Sequence, residues 1–198
     1  GMFTLTKLAG ELGISKKDLQ SGTIRLPAYR ALYLDHILKE GPGITYYRDQ
    51  LFKSMVRAVK TVEDSDEPVP ARFEAILREY QKTGFRWMKT LDKCGFGGIL
   101  ADDMGLGKTI QVIALFEDTY SSGEKAPSLV VCPASLVYNW EQEIQKFAPD
   151  LKVRSVVGTG PQRLELLEKI KEDPSGCQIL ITSYDLLKRD IAHYEGID

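Results

Sequence analysis

The feature that most constrains the fold of this sequence is a glycine-containing loop between two apolar segments. Residues 98–101 are predicted to form a strand, and residues 109–120 follow the pattern of an apolar helix. The loop between them contains Gly105 and Gly107, which allow successive backbone N–H groups to face one ligand without a side chain in the way. Because the next helix also directs its positive end toward the loop, the stretch is suited to binding phosphate groups.

The residues at the start of the predicted helix sharpen this interpretation. Lys108 is placed to reach the β- and γ-phosphates of a nucleotide triphosphate, and the Thr109 hydroxyl is placed to bind Mg²⁺. The strict phosphate-loop signature has glycine where this chain has Asp102, so the match is imperfect. A glycine turn with a surface lysine is the alternative. Kinases, GTPases and nucleic-acid motors all use such a loop, so the loop alone does not identify the reaction.

The rest of the second part of the chain alternates between strand and helix patterns. Strands that alternate with helices of this length predict a parallel sheet with helices on both faces, an α/β fold that binds ligands at the carboxyl ends of its strands. The further predicted strands are residues 129–132, 153–157 and 178–182, and the further predicted helices are residues 74–92, 136–147, 161–171 and 184–191.

The first 60 residues differ from the remainder in charge and pattern. They contain 10 Lys plus Arg and 5 Asp plus Glu, whereas residues 61–70 contain four acids, no base and two prolines. We therefore predict three parts: a mainly helical segment at 1–60, an acidic linker at 61–70 and the α/β domain at 71–198.

Helices are predicted within the first part at 27–39 and 48–60. The run from Ala9 to Leu19 has the shape of a helix-turn-helix, with a glycine at the turn. This run is either a DNA-reading element or a structural helical hairpin.

Composition excludes several other classes. The three cysteines are widely spaced and the two histidines are isolated, so neither a disulfide framework nor a zinc site is indicated. No apolar run approaches the length of a membrane span, and no secretory leader is visible. We expect a reduced, cytoplasmic protein whose cysteines are small core residues.

Four blocks of the sequence resemble motifs of one family. Residues 102–111 resemble motif I of the SWI/SNF family of superfamily-two helicase-related ATPases, although Asp103 stands where that family typically has Glu. Residues 77–88 resemble the Q-motif region, residues 129–147 motif Ia and residues 179–185 motif Ib. The resemblance implies a RecA-like motor lobe, with ATP and Mg²⁺ as cofactors and duplex DNA as a partner. Residues 1–70 look like the segment that precedes the motor in bacterial members.

The resemblance also assigns roles to individual residues. Lys108 and Thr109 would act in catalysis, with Thr109 as the Mg²⁺ ligand, and Gln81 would read the adenine edge. The residues assigned to the nucleotide are Arg78, Gln81, Asp102, Asp103, Met104, Gly105, Leu106, Gly107, Lys108 and Thr109. Those assigned to the phosphates of duplex DNA are Pro133, Ser135, Trp140, Thr182, Ser183 and Tyr184.

One motif that ATP hydrolysis requires does not occur in this sequence. In the family, an Asp-Glu-x-His strand end after motif Ib completes Mg²⁺ binding, and this chain has no such run before it ends at Asp198. We therefore expect an N-terminal fragment with an incomplete first motor lobe that does not hydrolyse ATP by itself. The parent protein is expected to be a DNA-dependent ATPase, with a second motor lobe in the same chain and RNA polymerase or another DNA-bound protein as a partner. The alternatives are a self-contained P-loop kinase and a non-enzymatic helix-turn-helix regulator.

Overall fold

The computed structural model describes residues 10, 17, 26–27, 30–40, 47–61 and 67–197. These residues belong to two compact units. The first takes in the described residues before Asp66 together with Arg86–Ile99, and the second takes in Glu67–Phe85 and the described residues from Leu100 onward.

Two helices form the described beginning of the first unit, α1 (Ala31–Glu40) and α2 (Gln50–Lys60). The Asp49 carboxylate caps α2 by accepting a hydrogen bond of 2.7 Å from the Phe52 N–H. Asp35, which is 1% exposed, pairs with Lys39 and Arg48, so a buried charge connects α1 to the segment before α2.

Both helices predicted for this region are therefore confirmed, each beginning two to four residues later than expected. The predicted helix-turn-helix at 9–19 lies outside the described residues, apart from two single helical positions, and the linker at 61–70 stays a prediction.

The described residues from 67 onward begin with two helices where the sequence predicts one. Helix α3 (Ala71–Glu74) is separated from α4 (Glu79–Lys93) by a turn, so the prediction of one helix over 74–92 is wrong at its start. The helix is interrupted because Gln81 accepts a hydrogen bond from the Arg78 backbone N–H at 2.9 Å, which caps a new helix beginning. The turn also buries Leu77, which is 5% exposed.

The rest of the second unit follows the predicted alternation. Helix α5 (Lys108–Ser121) comes first, and the elements after it are β1 (Ser128–Cys132), α6 (Val137–Phe147), β2 (Val153–Ser155), α7 (Gly160–Glu172), β3 (Ile179–Ser183) and α8 (Tyr184–Asp190). The three strands are parallel in the order β1-β3-β2, with Val130 opposite Ile181 and Val153 opposite Ile179. The predicted parallel sheet is confirmed.

Alternate residues of β3 enter two different apolar clusters. Ile179 and Ile181 pack in one cluster with residues of α5 and α6, whereas Leu180 packs in the other with Leu167 of α7. Because successive side chains of a strand point to opposite faces, helices cover both faces of the sheet. A central strand buried on both sides also explains why all five residues of β3 are buried.

The strand predicted at residues 98–101 does not form. All strands of the described residues lie between Ser128 and Ser183, and a short apolar run becomes a strand only when a neighbouring strand accepts its backbone hydrogen bonds. Ile99 is accordingly 86% exposed rather than buried. The apolar composition of this segment was therefore misleading.

Buried thiols and one buried ion pair complete the core. Cys132 and Cys177 are 4% and 1% exposed, and burial raises the pKa of the Cys177 thiol to about 11, so both behave as small core residues, as predicted. The prediction is wrong for Cys94, which is only partly buried. Arg163 on α7 holds Asp190 at the end of α8 by two hydrogen bonds of 2.6 and 3.0 Å. Over the residues that the structure describes, no helix is both long and apolar enough to span a membrane.

Candidate functional site

The loop between residue 101 and α5 takes a backbone conformation that requires glycine at two positions. Gly105 and Gly107 have φ angles of 84° and 74°, and Gly107 is the residue that caps α5. A Cβ at Gly105 would meet open space, whereas a Cβ at Gly107 would lie 2.4 Å from the Nε2 atom of Gln81. Gly107 is therefore needed both for its backbone angle and for a close approach to α4.

The lysine of the loop is held by the loop itself. The Lys108 ammonium donates hydrogen bonds to the backbone carbonyls of Asp102 at 2.6 Å and Asp103 at 3.0 Å. It thus sits at the mouth of the loop and remains partly exposed, as does Thr109 in the first turn of α5. Met104 at the loop tip is 96% exposed, so the tip is open to a ligand.

Two side chains of α4 reach the same carbonyl of the loop. The Gln81 amide donates to the Leu106 carbonyl at 3.0 Å, and the Tyr80 hydroxyl donates to it at 3.1 Å. These hydrogen bonds bring together predicted nucleotide residues from two separate blocks of the sequence within the second unit. One block contains Arg78 and Gln81, and the other is residues 102–109. The role of Gln81 in reading adenine stays a prediction.

Three residues at this site were not assigned a role from the sequence. Tyr80 contacts the loop as described above. Gln111 on α5 is fully buried and donates to the Asp102 carboxylate at 3.0 Å. Gly84 on α4 is needed because a Cβ there would lie 2.0 Å from the Gln111 Oε1 atom. The one sequence signal for Gln111 is that it is a polar residue within the apolar run that begins α5.

The residues assigned to DNA lie around one edge of the sheet. Cys132 at the end of β1 pairs with Ser183 at the end of β3, so Pro133 and Tyr184 follow neighbouring parallel strands at the same edge. Pro133 and Ser135 are exposed, and Tyr184 is 60% exposed.

The other three assigned residues are used in packing. The Thr182 hydroxyl is buried and donates to the Val156 carbonyl at 3.3 Å. Ser183 caps α8 through a weak bond of 3.4 Å from the Leu186 N–H, and Trp140 packs partly buried against the core. The exposed members of the group, which can meet a macromolecule without rearrangement, are Pro133, Ser135 and Tyr184.

The described residues offer few ligands for a metal ion. The described part of the chain contains no group of three or more His, Cys, Asp or Glu side chains that could hold a metal. A Mg²⁺ ion that arrives with a nucleotide needs fewer protein ligands, because phosphate oxygens and waters fill most of its coordination positions. One threonine hydroxyl beside a phosphate loop fits that arrangement.

Comparison with known proteins shows the family of this chain. The family described as the SNF2-related domain matches residues 80–198, which include the loop, α5 and the whole sheet. The chain belongs to the SNF2-related family. A second family, described as bacterial SNF2 helicase associated, matches residues 1–70 and confirms the likeness of that segment to bacterial members. The kinase and regulator alternatives are not favoured by these matches.

Individual SNF2-related proteins match over a large part of the chain. An uncharacterized ATP-dependent helicase of Mycoplasma pneumoniae is 39% identical over 91% of this chain and 18% of its own length. The chromatin-remodeling ATPase INO80 of Candida albicans is 41% identical over 65% of this chain and 10% of its own. The chain therefore spans less than a fifth of the length of these curated relatives.

A solved SNF2-related structure supports the fold. The SWI2/SNF2 ATPase core of Sulfolobus solfataricus in complex with double-stranded DNA is 46% identical, with a TM-score of 0.51, over 59% of this chain and 23% of that one. The predicted RecA-like fold class is confirmed by this likeness and by the parallel sheet.

Proposed function

We propose that this chain is the nucleotide-binding part of an ATP-dependent DNA translocase, and that residues 102–109 bind the phosphates of ATP. The observation that supports this most strongly is the conformation of Gly107. A left-handed residue caps α5, so the backbone N–H groups at the helix start converge beside Lys108. Such a helix beginning attracts anions, and Lys108 adds a full positive charge at the same place.

The side chains beside the loop would each bind a different part of ATP or its Mg²⁺. Lys108 exchanges its two loop carbonyls for phosphate oxygens, and Thr109 provides one oxygen to the Mg²⁺ that accompanies ATP. The bound ion would neutralise charge on the phosphates. Gln81 would select adenine, since its amide retains one N–H and one oxygen lone pair beyond its two internal bonds.

Steady-state ATP hydrolysis by the longest natural protein that contains this chain tests the proposal. Lys108→Ala is compared with Lys169→Ala, which removes an exposed lysine on α7. We expect duplex DNA to stimulate hydrolysis, Lys108→Ala to abolish it and Lys169→Ala to leave it unchanged. Hydrolysis that survives Lys108→Ala would refute the role of the loop.

The edge formed by Pro133, Ser135 and Tyr184 is proposed to contact one strand of duplex DNA through its phosphates. Hydroxyls and backbone N–H groups at helix beginnings are suited to contacts that do not depend on base sequence. The complex of double-stranded DNA with the Sulfolobus relative supports a DNA partner for this chain.

A charge introduced at this edge tests the DNA contact. Ser135→Asp places a carboxylate where a phosphate is expected, and Ser121→Asp places one at an exposed position at the end of α5. We expect the first substitution to lower affinity for duplex DNA about 10-fold or more at low salt, because like charges repel, and the second to have little effect. Equal effects would remove this edge from the proposal.

The remaining partners and the location stay predictions. The predicted partners are a second motor lobe in the same protein and a substrate that the translocase remodels, RNA polymerase or another DNA-bound protein. The predicted location is the cytoplasm.

A further inference from the structure

The buried amide of Gln111 connects the two ends of the phosphate loop. Its Nε2 atom donates to the Asp102 carboxylate at 3.0 Å and lies 3.4 Å from the Gly107 carbonyl. Asp102 begins the loop and Gly107 caps α5 at its end, so one side chain holds both. The side chain has no exposure to solvent, so water does not compete for these bonds.

The same residue leaves a polar atom without a partner. The Gln111 Oε1 atom is buried and finds no hydrogen-bond partner among the described residues. It lies against α4, where a Cβ on Gly84 would be 2.0 Å away. An unpaired buried polar atom is unfavourable, so a side chain selected only for packing at this position would be apolar.

The contacts of Gln111 lead directly to the lysine of the site. Gln111 holds the carboxylate of Asp102, and the carbonyl of Asp102 accepts the hydrogen bond from the Lys108 ammonium at 2.6 Å. The position of the ammonium therefore depends on the position of Asp102. The glutamine itself is too deeply buried to touch a nucleotide.

We propose that Gln111 is a positioning residue for nucleotide binding, which fixes the phosphate loop by joining Asp102 to Gly107. This inference rests on the proposed binding of ATP by the loop. The role requires a hydrogen-bond donor at position 111 and an acceptor at position 102, whereas a space-filling role would require only volume.

Exchange of donor and acceptor tests the proposal. Gln111→Glu keeps the shape of the side chain but replaces the donor by a second carboxyl next to Asp102. Two carboxylates at this distance repel each other, so this variant loses the hydrogen bond to position 102. Asp102→Asn restores a donor, so the double variant regains the hydrogen bond between positions 102 and 111, although not the longer contact with the Gly107 carbonyl. The other charged groups at this place, Lys108 and Asp103, are unchanged in all variants.

The measurement is the affinity of a fluorescent ATP analogue for the longest natural protein that contains the chain, at pH 8. We expect Gln111→Glu to weaken binding about 10-fold or more. In the Asp102→Asn background, the same substitution should weaken binding less than about 3-fold, because only the longer contact with the Gly107 carbonyl is lost. Gln145→Glu, at an exposed position on α6, is the matched control and should have no effect.

Equal weakening by Gln111→Glu in both backgrounds, or none in either, would overturn the proposal. If Gln111→Glu does not fold, Asp102→Ala replaces it, because Asp102 is only partly buried; this variant should bind the analogue more weakly while its melting temperature stays close to that of the wild type. Unchanged affinity in Asp102→Ala would equally overturn the proposal. Failure of the proposed function itself is distinguishable, because wild type and Lys108→Ala would then bind the analogue alike.

Discussion

Replacement of Gly107 by alanine is expected to impair nucleotide binding for two separate reasons. An alanine at a φ of 74° costs about 1–2 kcal/mol, since its Cβ crowds the following carbonyl. The same Cβ would lie 2.4 Å from the Gln81 Nε2 atom and displace it from the Leu106 carbonyl, a hydrogen bond that contributes about 0.5–1.5 kcal/mol. Together these costs are about 1.5–3.5 kcal/mol.

This cost will lower the affinity for ATP, because the free loop can relax to another conformation, whereas the loop that binds phosphates cannot. At about 1.4 kcal/mol for each factor of ten, the affinity of Gly107→Ala for ATP should fall about 10- to 300-fold. Gly105→Ala has the backbone cost alone, because nothing lies within 4 Å of its Cβ. Its affinity should therefore fall only about 5- to 30-fold.

Substitution of a third glycine distinguishes a loss of nucleotide affinity from a general loss of stability. Gly123 has a φ of 92° with open space around it, and it lies after α5, away from the loop. Gly123→Ala should lower the melting temperature by a few degrees and leave nucleotide affinity unchanged. The assay is anisotropy of a fluorescent ATP analogue, with thermal unfolding in parallel. Affinity of Gly107→Ala equal to that of the wild type would refute the reasoning.

Three further predictions concern stability. Asp190→Ala leaves the Arg163 guanidinium buried without its partner and should lower the free energy of unfolding by about 3–5 kcal/mol in urea denaturation. Arg163 lowers the pKa of Asp190, so the stability from this pair should be complete above about pH 4 and be lost as the pH falls further, through the folded-state pKa. Tyr120→Phe removes the hydroxyl that accepts a hydrogen bond of 2.7 Å from the Ser128 N–H, and should cost about 0.5–1.5 kcal/mol, because this N–H also donates to the Gln178 carbonyl at 2.8 Å and is not left unpaired.

Matched controls accompany these predictions. Glu165→Ala breaks an ion pair that is 67% exposed on both sides, and should leave stability nearly unchanged, because an exposed ion pair contributes little. Tyr47→Phe removes the hydroxyl of a residue that is 88% exposed and should be nearly neutral. An Asp190→Ala effect as small as that of Glu165→Ala would contradict the assigned role of the buried pair.

The elements that could be predicted from sequence are those decided by local pattern. Helix α5 and strands β1 and β3 were found because apolar periodicity and flanking turn residues mark them directly. The loop conformation was also predictable, since two glycines before Lys108 leave few alternatives.

The failures arose where side-chain contacts or strand pairing, rather than the apolar pattern, decide the structure. Residues 98–101 look like a strand, but pairing with another strand is not encoded in a short apolar segment. The break before α4 depends on the Gln81 side chain capping the Arg78 N–H, a local contact that a helical pattern does not reveal. Gln111 gives only a weak signal, because its importance comes from Asp102 and Gly84, which lie outside the helix that carries it.

The most direct test of the central claim is a titration of the ¹⁵N-glycine-labelled chain with ATP and Mg²⁺, followed by NMR. This measurement detects weak binding and reports on each glycine separately. If the loop binds the phosphates of ATP, the amide signals of Gly105 and Gly107 will shift most, those of Gly123 and Gly196 will stay in place, and Lys108→Ala will suppress the shifts. No change at Gly105 and Gly107, or equal changes at all four glycines, would contradict the claim.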